Sequence, residues 1–154
     1  MNVLYTNHHR NEVLKQELNA EKVSLITLLQ KSDFISINVP LSDETYHLIG
    51  KNEFNLMKEN AILINTSRGP VVDEKSLIFA LQNKQIFGAG LDVYENEPKV
   101  PMELIQLDNV VLQPHSASAT VNSRTSMAIM AVENMMAGLN GEIPPNCVNP
   151  EIFK

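Results

Sequence analysis

An α/β domain on a mostly parallel sheet, with flanking helices, is the fold class that this sequence predicts. Three observations predict it. Short apolar runs alternate along the chain with segments of helical period. Runs such as Ala61-Ile62-Leu63-Ile64 are continuous rather than alternating, as in strands buried on both faces. Each run also ends in polar residues, and an open parallel sheet binds ligands beyond the C-terminal ends of its strands.

Val3-Leu4-Tyr5 is a short strand. Residues 11 to 19 and 24 to 31 are helical, the second with Leu25, Ile26, Leu28 and Leu29. Asp33 to Val39 is a strand stopped by Pro40. Residues 51 to 58 form a short helix, and Ala61 to Asn65 a buried strand. Asp73 has the side chain to N-cap the next helix, whose inner face carries Leu77, Ile78, Ala80 and Leu81. Gly88 to Val93 and Val110 to Leu112 are further strands. A long helix follows from about Ala119 to Leu139, closed by Gly138 and Gly141. Met127, Met130, Met135 and Met136 on it read as core filling. The proline-rich tail from Pro144 to Pro150 is a surface arm, and nothing in the pattern marks an internal boundary.

The 154 residues suit one domain, and 44% apolar residues are enough for a core. A net charge of −6 argues against nucleic acid and anionic membranes as partners. No apolar run reaches the roughly 18 residues of a membrane span, and the first ten residues reverse the charge order of a signal peptide. Cys147 is the only cysteine, so no internal disulfide forms, in keeping with a cytoplasmic setting. No His-Glu-x-x-His pattern or cysteine spacing points to a metal. Gly-x-Ser-x-Gly is absent, and Gly88-Ala89-Gly90 leads into a strand, not into the helix of a phosphate loop.

The chemistry-bearing residues lie at the strand ends. Arg68, between Ser67 and Gly69, has the fork geometry to grip a carboxylate. His115, after Pro114, can pass a proton near neutral pH. A neighbouring carboxylate would support it, and Glu95 and Glu97 are equal candidates by composition. Asp92 sits in an apolar strand, where a charge needs a partner or a task. His47, before an apolar pair, reads as structural.

Taken in order, these blocks resemble the C-terminal half of the D-isomer-specific 2-hydroxyacid dehydrogenases. Asn65-Thr66-Ser67-Arg68-Gly69-Pro70-Val71-Val72-Asp73-Glu74 is similar to that family's block around its catalytic arginine. Gly88 to Pro98 resembles its acidic block, and Asp108 to His115 its histidine block. Asn38-Val39-Pro40-Leu41, with Thr45 after it, resembles the loop lining the cofactor. The resemblance runs from about residue 2 to 150.

It implies a Rossmann-like sheet and hydride transfer between a nicotinamide cofactor and a small 2-oxo or 2-hydroxy acid, of glyoxylate/hydroxypyruvate reductase type. Arg68 would hold the substrate carboxylate, His115 would exchange the proton, and Glu97 rather than Glu95 would pair with His115. Asp92, Thr66 and Ser67 would serve the nicotinamide end, and Val39 and Pro40 the adenosine side. In this family an acid at the end of the strand equivalent to Val3–Tyr5 grips the ribose of NAD. Here Asn7, His8, His9 and Arg10 stand there instead, which favours NADP over NAD. Ser116-Ala117 replaces the family's apolar residue and glycine, so a methyl stands where the backbone nears the nicotinamide.

The resemblance also implies a gap. The family's first Rossmann strand and its Gly-x-Gly-x-x-Gly turn have no counterpart here, and in the order 3-2-1-4-5-6 that strand is central. The expected organisation is therefore a partial NAD(P)-binding domain over residues 1–142. Residues 143–154 would be an arm that returns to the family's other domain. The expected partner is a second copy or a complementing N-terminal half. Rival readings are an inactive remnant, a split assembly and, from one branch of the family, a corepressor.

Overall fold

The computed structural model describes residues 1–153, which fall into two compact units, Met1–His115 and Ser116–Lys154. The pattern of the sequence shows no sign of this division.

In the first unit the order is β1 (Leu4–Tyr5), α1 (Glu12–Leu18), β2 (Glu21–Lys22), α2 (Leu25–Lys31), β3 (Phe34–Ile37) and α3 (Lys51–Phe54). It continues with β4 (Ile62–Asn65), α4 (Glu74–Gln82), β5 (Gly88–Leu91), α5 (Met102–Ile105) and β6 (Val110–Leu112). Every strand pairing is parallel. The arrangement is Rossmann-like, as the sequence predicts.

Two elements go beyond the sequence reading. Strand β2 is two exposed charged residues and shows no apolar pattern. Helix α5 is a single turn that follows Pro101, too short for a helical period to register. The expected helix over residues 51 to 58 is shorter, α3 ending at Phe54 and giving way to turns, while the remaining elements agree to within two residues. Asp73 accepts from the Lys75 and Ser76 backbone amides at 3.1 and 3.3 Å and so caps α4.

The strands form two sheets, β1-β2 and β3-β4-β5-β6. No ladder joins β1 to β3 among the described residues, so both strands keep a free edge. This is the place where the resemblance implies an absent central strand. Along strand β3 the two faces differ: Ile35 and Ile37 are buried, whereas Phe34 on the opposite face is 71% exposed. The core lies around β4 and β5, where Leu63, Phe54, Leu77, Leu81, Ile86 and Leu104 are almost wholly buried.

The register decides where the polar residues gather. Ile37 pairs with Asn65, Asn65 with Leu91, and Leu91 with Leu112. These four residues form one row across the sheet, so Asn38, Thr66, Asp92 and Gln113 all follow it at the same edge.

In the second unit, α6 (Val121–Leu139) is N-capped by Thr120, which accepts from Ser123 N at 3.1 Å. Met127, Met130, Met135 and Met136 are 63, 47, 56 and 49% exposed, so they do not fill a core in this structure. An apolar helix face buries only against another apolar surface, and α6 buries none of its residues. The tail is not without regular structure. Asn134 binds Asn146 through two hydrogen bonds, and Pro150–Phe153 forms a 3-10 turn. Among the described residues no helix is long and apolar enough to cross a membrane.

Candidate active site

Strand β4 delivers the arginine turn. Asn65, 1% exposed, closes it: its side-chain oxygen accepts from Ser67 N and Oγ, and its amide donates to Arg68 O at 3.1 Å. Arg68 is thereby held on the surface with one guanidinium nitrogen donating to Ser67 O at 2.6 Å. Thr66 is exposed and Ser67 half-buried.

Strand β5 delivers the acidic loop. Asp92 is buried, with 4% of its surface exposed, and its amide extends the ladder to Asn65 O. Glu97 accepts from Tyr94 N on one carboxylate oxygen and faces His115 Nδ1 with the other, at 2.7 Å. That hydrogen bond, from the imidazole at the end of β6, is the main cause holding the Glu97 carboxyl below its ordinary value. The charge of Asp92 opposes it. An ionised carboxylate only accepts, so Nδ1 carries the proton and Nε2 remains for exchange with a reacting group. His115 is also held at φ 53°, a left-handed conformation that non-glycine residues rarely adopt.

Glu95 goes elsewhere. It meets His47 Nε2 at 3.2 Å, and its other oxygen accepts from Glu74 N at 3.2 Å. Glu74 in turn accepts from Glu95 N. His47, Asp73 and Glu95 each place a ligand-type atom within 4.8 Å of the others. Their oxygens already serve His47, the amides that start α4 and Ser76 Oγ, so the group reads as a clamp on the acidic loop.

Burial first, and then the charge of Glu95, raises the Glu74 carboxyl above 4.5. A raised carboxyl contributes stability below 4.5 that is lost as pH rises through its folded value. Glu74→Gln keeps the acceptor for Glu95 N and removes the charge. It is expected to raise the melting temperature at neutral pH and to change little below pH 4.5. Equal shifts at both pH values would contradict this. For Glu97 the sign is opposite: its contribution is present above 4.5 and fades as pH falls through its folded value.

At the end of β1, Asn7, His8, His9 and Arg10 are all exposed. His8 lies 3.6 Å from Glu44, and Lys22 Nζ donates to His8 O at 3.0 Å. Lys22 is a cation that the sequence does not place here, because it comes from β2. In the loop after β3, Thr45 Oγ1 donates to Pro40 O at 2.6 Å and accepts from Ser42 N, and Val39 is half-buried beside Pro40. Ser116 and Ala117 open the second unit.

The arrangement is thus a carboxylate–imidazole pair and an arginine at the ends of parallel strands. Strand β5, which carries Glu97, lies between β4 with Arg68 and β6 with His115, so those two strands run about 10 Å apart. Comparison with known proteins decides the family. Residues 1–117 match the family model described as D-isomer specific 2-hydroxyacid dehydrogenase, NAD binding domain.

The chain belongs to this family.

This dehydrogenase-family chain is 52% identical over 155 residues to a glyoxylate reductase of Korarchaeum cryptofilum, covering 100% of this chain and 47% of that protein. A solved structure of a Thermus thermophilus protein superposes with a TM-score of 0.89 at 41% identity, over 96% of this chain and 46% of that one. A Sinorhizobium meliloti NADPH-dependent glyoxylate/hydroxypyruvate reductase, solved with NADP and malonate, gives 0.82 at 36% identity, over 89% of this chain and 42% of that one. The chain therefore spans about half the length of the relatives it matches.

Asn65 and Tyr94 make hydrogen bonds in the site that the sequence reading did not single out. The signal for Asn65 was its place at the end of an apolar strand. Tyr94 lies in the strand-end block Asp92–Glu95, but nothing local marks its hydroxyl, whose partner Gln113 is 19 positions away.

Proposed function

We propose that this chain carries the reacting groups of an NAD(P)-dependent 2-hydroxyacid dehydrogenase of glyoxylate/hydroxypyruvate reductase type. The 2.7 Å contact between His115 Nδ1 and Glu97 carries this reading. Arg68 would hold the substrate carboxylate and polarise its 2-oxo group. His115 would deliver a proton from Nε2 to the ketone oxygen, or take it in the reverse direction. Glu97 would fix the tautomer and stabilise the imidazolium.

The donor set fits a nicotinamide cofactor. Buried Asp92 suits an amide donor, Thr66 and Ser67 lie on the same edge, and Val39 and Pro40 offer apolar surface for the adenosine side. When bound, that cofactor supplies the hydride. The absence of an acid from residues 6–10, with Arg10 there and Lys22 beside the loop, supports NADP over NAD. We assign residues 1–142 to the partial cofactor domain and 143–154 to an arm for the substrate domain, with a second copy or a complementing N-terminal half as partner. The single cysteine supports a cytoplasmic setting.

The free edges of β1 and β3 favour inactivity of these residues alone. The test is turnover of glyoxylate or hydroxypyruvate with NADPH and with NADH. It is run on the chain alone and mixed with a polypeptide carrying a Gly-x-Gly-x-x-Gly strand and helix. Turnover is expected only in the mixture, faster with NADPH. His115→Gln should lower it about 10²- to 10⁴-fold. A mixture that binds NADPH but reduces neither acid overturns the reading.

A further inference from the structure

We infer that Tyr94 is a positioning residue that holds the arginine turn, Glu97 and His115 in one geometry. The inference rests on the proposed roles of these three groups, but its test reads geometry rather than turnover.

Tyr94 is buried, with 6% of its surface exposed, and acts through three separate parts. Its backbone N–H donates to Glu97 Oε1 at 3.0 Å, which leaves Oε2 turned to His115. Its carbonyl packs on Gly69 so closely that a Cβ there would lie 1.9 Å from Tyr94 O, which seats the turn holding Arg68. Its phenol donates to Gln113 O at 2.8 Å, two residues before His115. Every residue but proline has the first two groups. Only the phenol requires tyrosine.

That third tether acts at a demanding place. His115 sits at φ 53°, and such backbone persists only where its surroundings hold it. The Gln113 amide already continues the sheet ladder to Leu91 O, so the phenol holds the carbonyl side of the same residue. Burial keeps the phenol protonated by raising it above 10.0, so it remains a donor across the working range. Without it, the Pro114-His115 segment is free to turn, and Nδ1 leaves Glu97.

The experiment compares the 154-residue chain with its Tyr94→Phe variant, which keeps the ring. In the wild type, proton NMR should show a low-field, slowly exchanging His115 Nδ1–H signal, assigned by its loss in Glu97→Gln. In Tyr94→Phe that signal should broaden or vanish, while the amide spectrum of β3 to β5 is unchanged. The Glu97 carboxyl, which also faces Asp92, should titrate nearer 4.5. A merely structural tyrosine would lower the melting temperature and leave the His115 signal intact, and that result overturns the inference. Should the variant not fold, heating the wild type gives the second reading. The Tyr94 hydroxyl and His115 Nδ1 signals are expected to be lost together. A His115 signal that outlasts the hydroxyl signal overturns the inference. Absence of turnover in the reconstituted wild-type enzyme, with its His115 signal present, would count against the proposed roles instead.

Discussion

Gly69→Ala is expected to destabilise the first unit by about 1–3 kcal/mol or more, although it adds one methyl group. The new Cβ would stand 1.9 Å from Tyr94 O, 2.0 Å from its carbonyl carbon and 2.6 Å from Glu95 N. All three are backbone atoms, so no side chain can rotate out of the way. Relief requires the arginine turn and the acidic loop to separate. Two effects should therefore appear together. The urea midpoint falls, and Arg68 moves away from the Glu97–His115 pair. Urea unfolding of the variant checks the first, and a midpoint equal to that of wild type would show that the two loops are not in contact.

Phe54→Ala is expected to cost about 3–5 kcal/mol. Phe54 ends α3 with 1% of its surface exposed, in the same cluster as Leu63, Leu77 and Leu81. Truncation leaves a cavity that the surrounding strands cannot fill. Small domains have only about 5–15 kcal/mol in total, so most of the margin would go. Phe34→Ala is the control. The residue type is the same, but Phe34 is 71% exposed on the free-edged strand β3, and surface substitutions usually change stability by less than about 0.5 kcal/mol. Denaturant melts of both variants check the pair, and similar losses would mean that Phe34 is covered in solution.

The contrast between these phenylalanines also shows where sequence reading stops. Phe34 adjoins Ile35 in an apolar run, whereas Phe54 stands between Glu53 and Asn55. Phe34 is exposed because it lies on the face of β3 opposite the buried Ile35 and Ile37, whereas Phe54 turns into the core cluster. The same limit applies to the methionines of α6, whose spacing suits a core but which lie exposed. Apolar spacing reports the capacity to be buried, and burial itself needs an opposing surface.

Local interactions were legible. The Asp73 cap needs only amides two and three residues on, and the β6 strand Val110–Leu112 stands out by its own apolar run. Parallel strands followed from continuous apolar runs spaced by helices. The pairing of two acidic residues was not legible. Glu95 and Glu97 are alike by composition, and the family resemblance, not the local pattern, favoured Glu97. In the structure Glu95 reaches His47, 48 positions away, and Glu97 reaches His115, 18 positions away.

The amino-acid sequence by itself determined the class of this protein: strands, helices and three blocks bearing an arginine, carboxylates and a histidine at strand ends. Periodicity, capping and motif order are properties of neighbours along the chain, so no folding is needed to read them. Tertiary structure alone decided that Ile37, Asn65, Leu91 and Leu112 form one row, that Tyr94 ties three loops together, and that β1 and β3 keep free edges. Register and long-range hydrogen bonds depend on how separate strands meet in space, and no local pattern encodes that meeting.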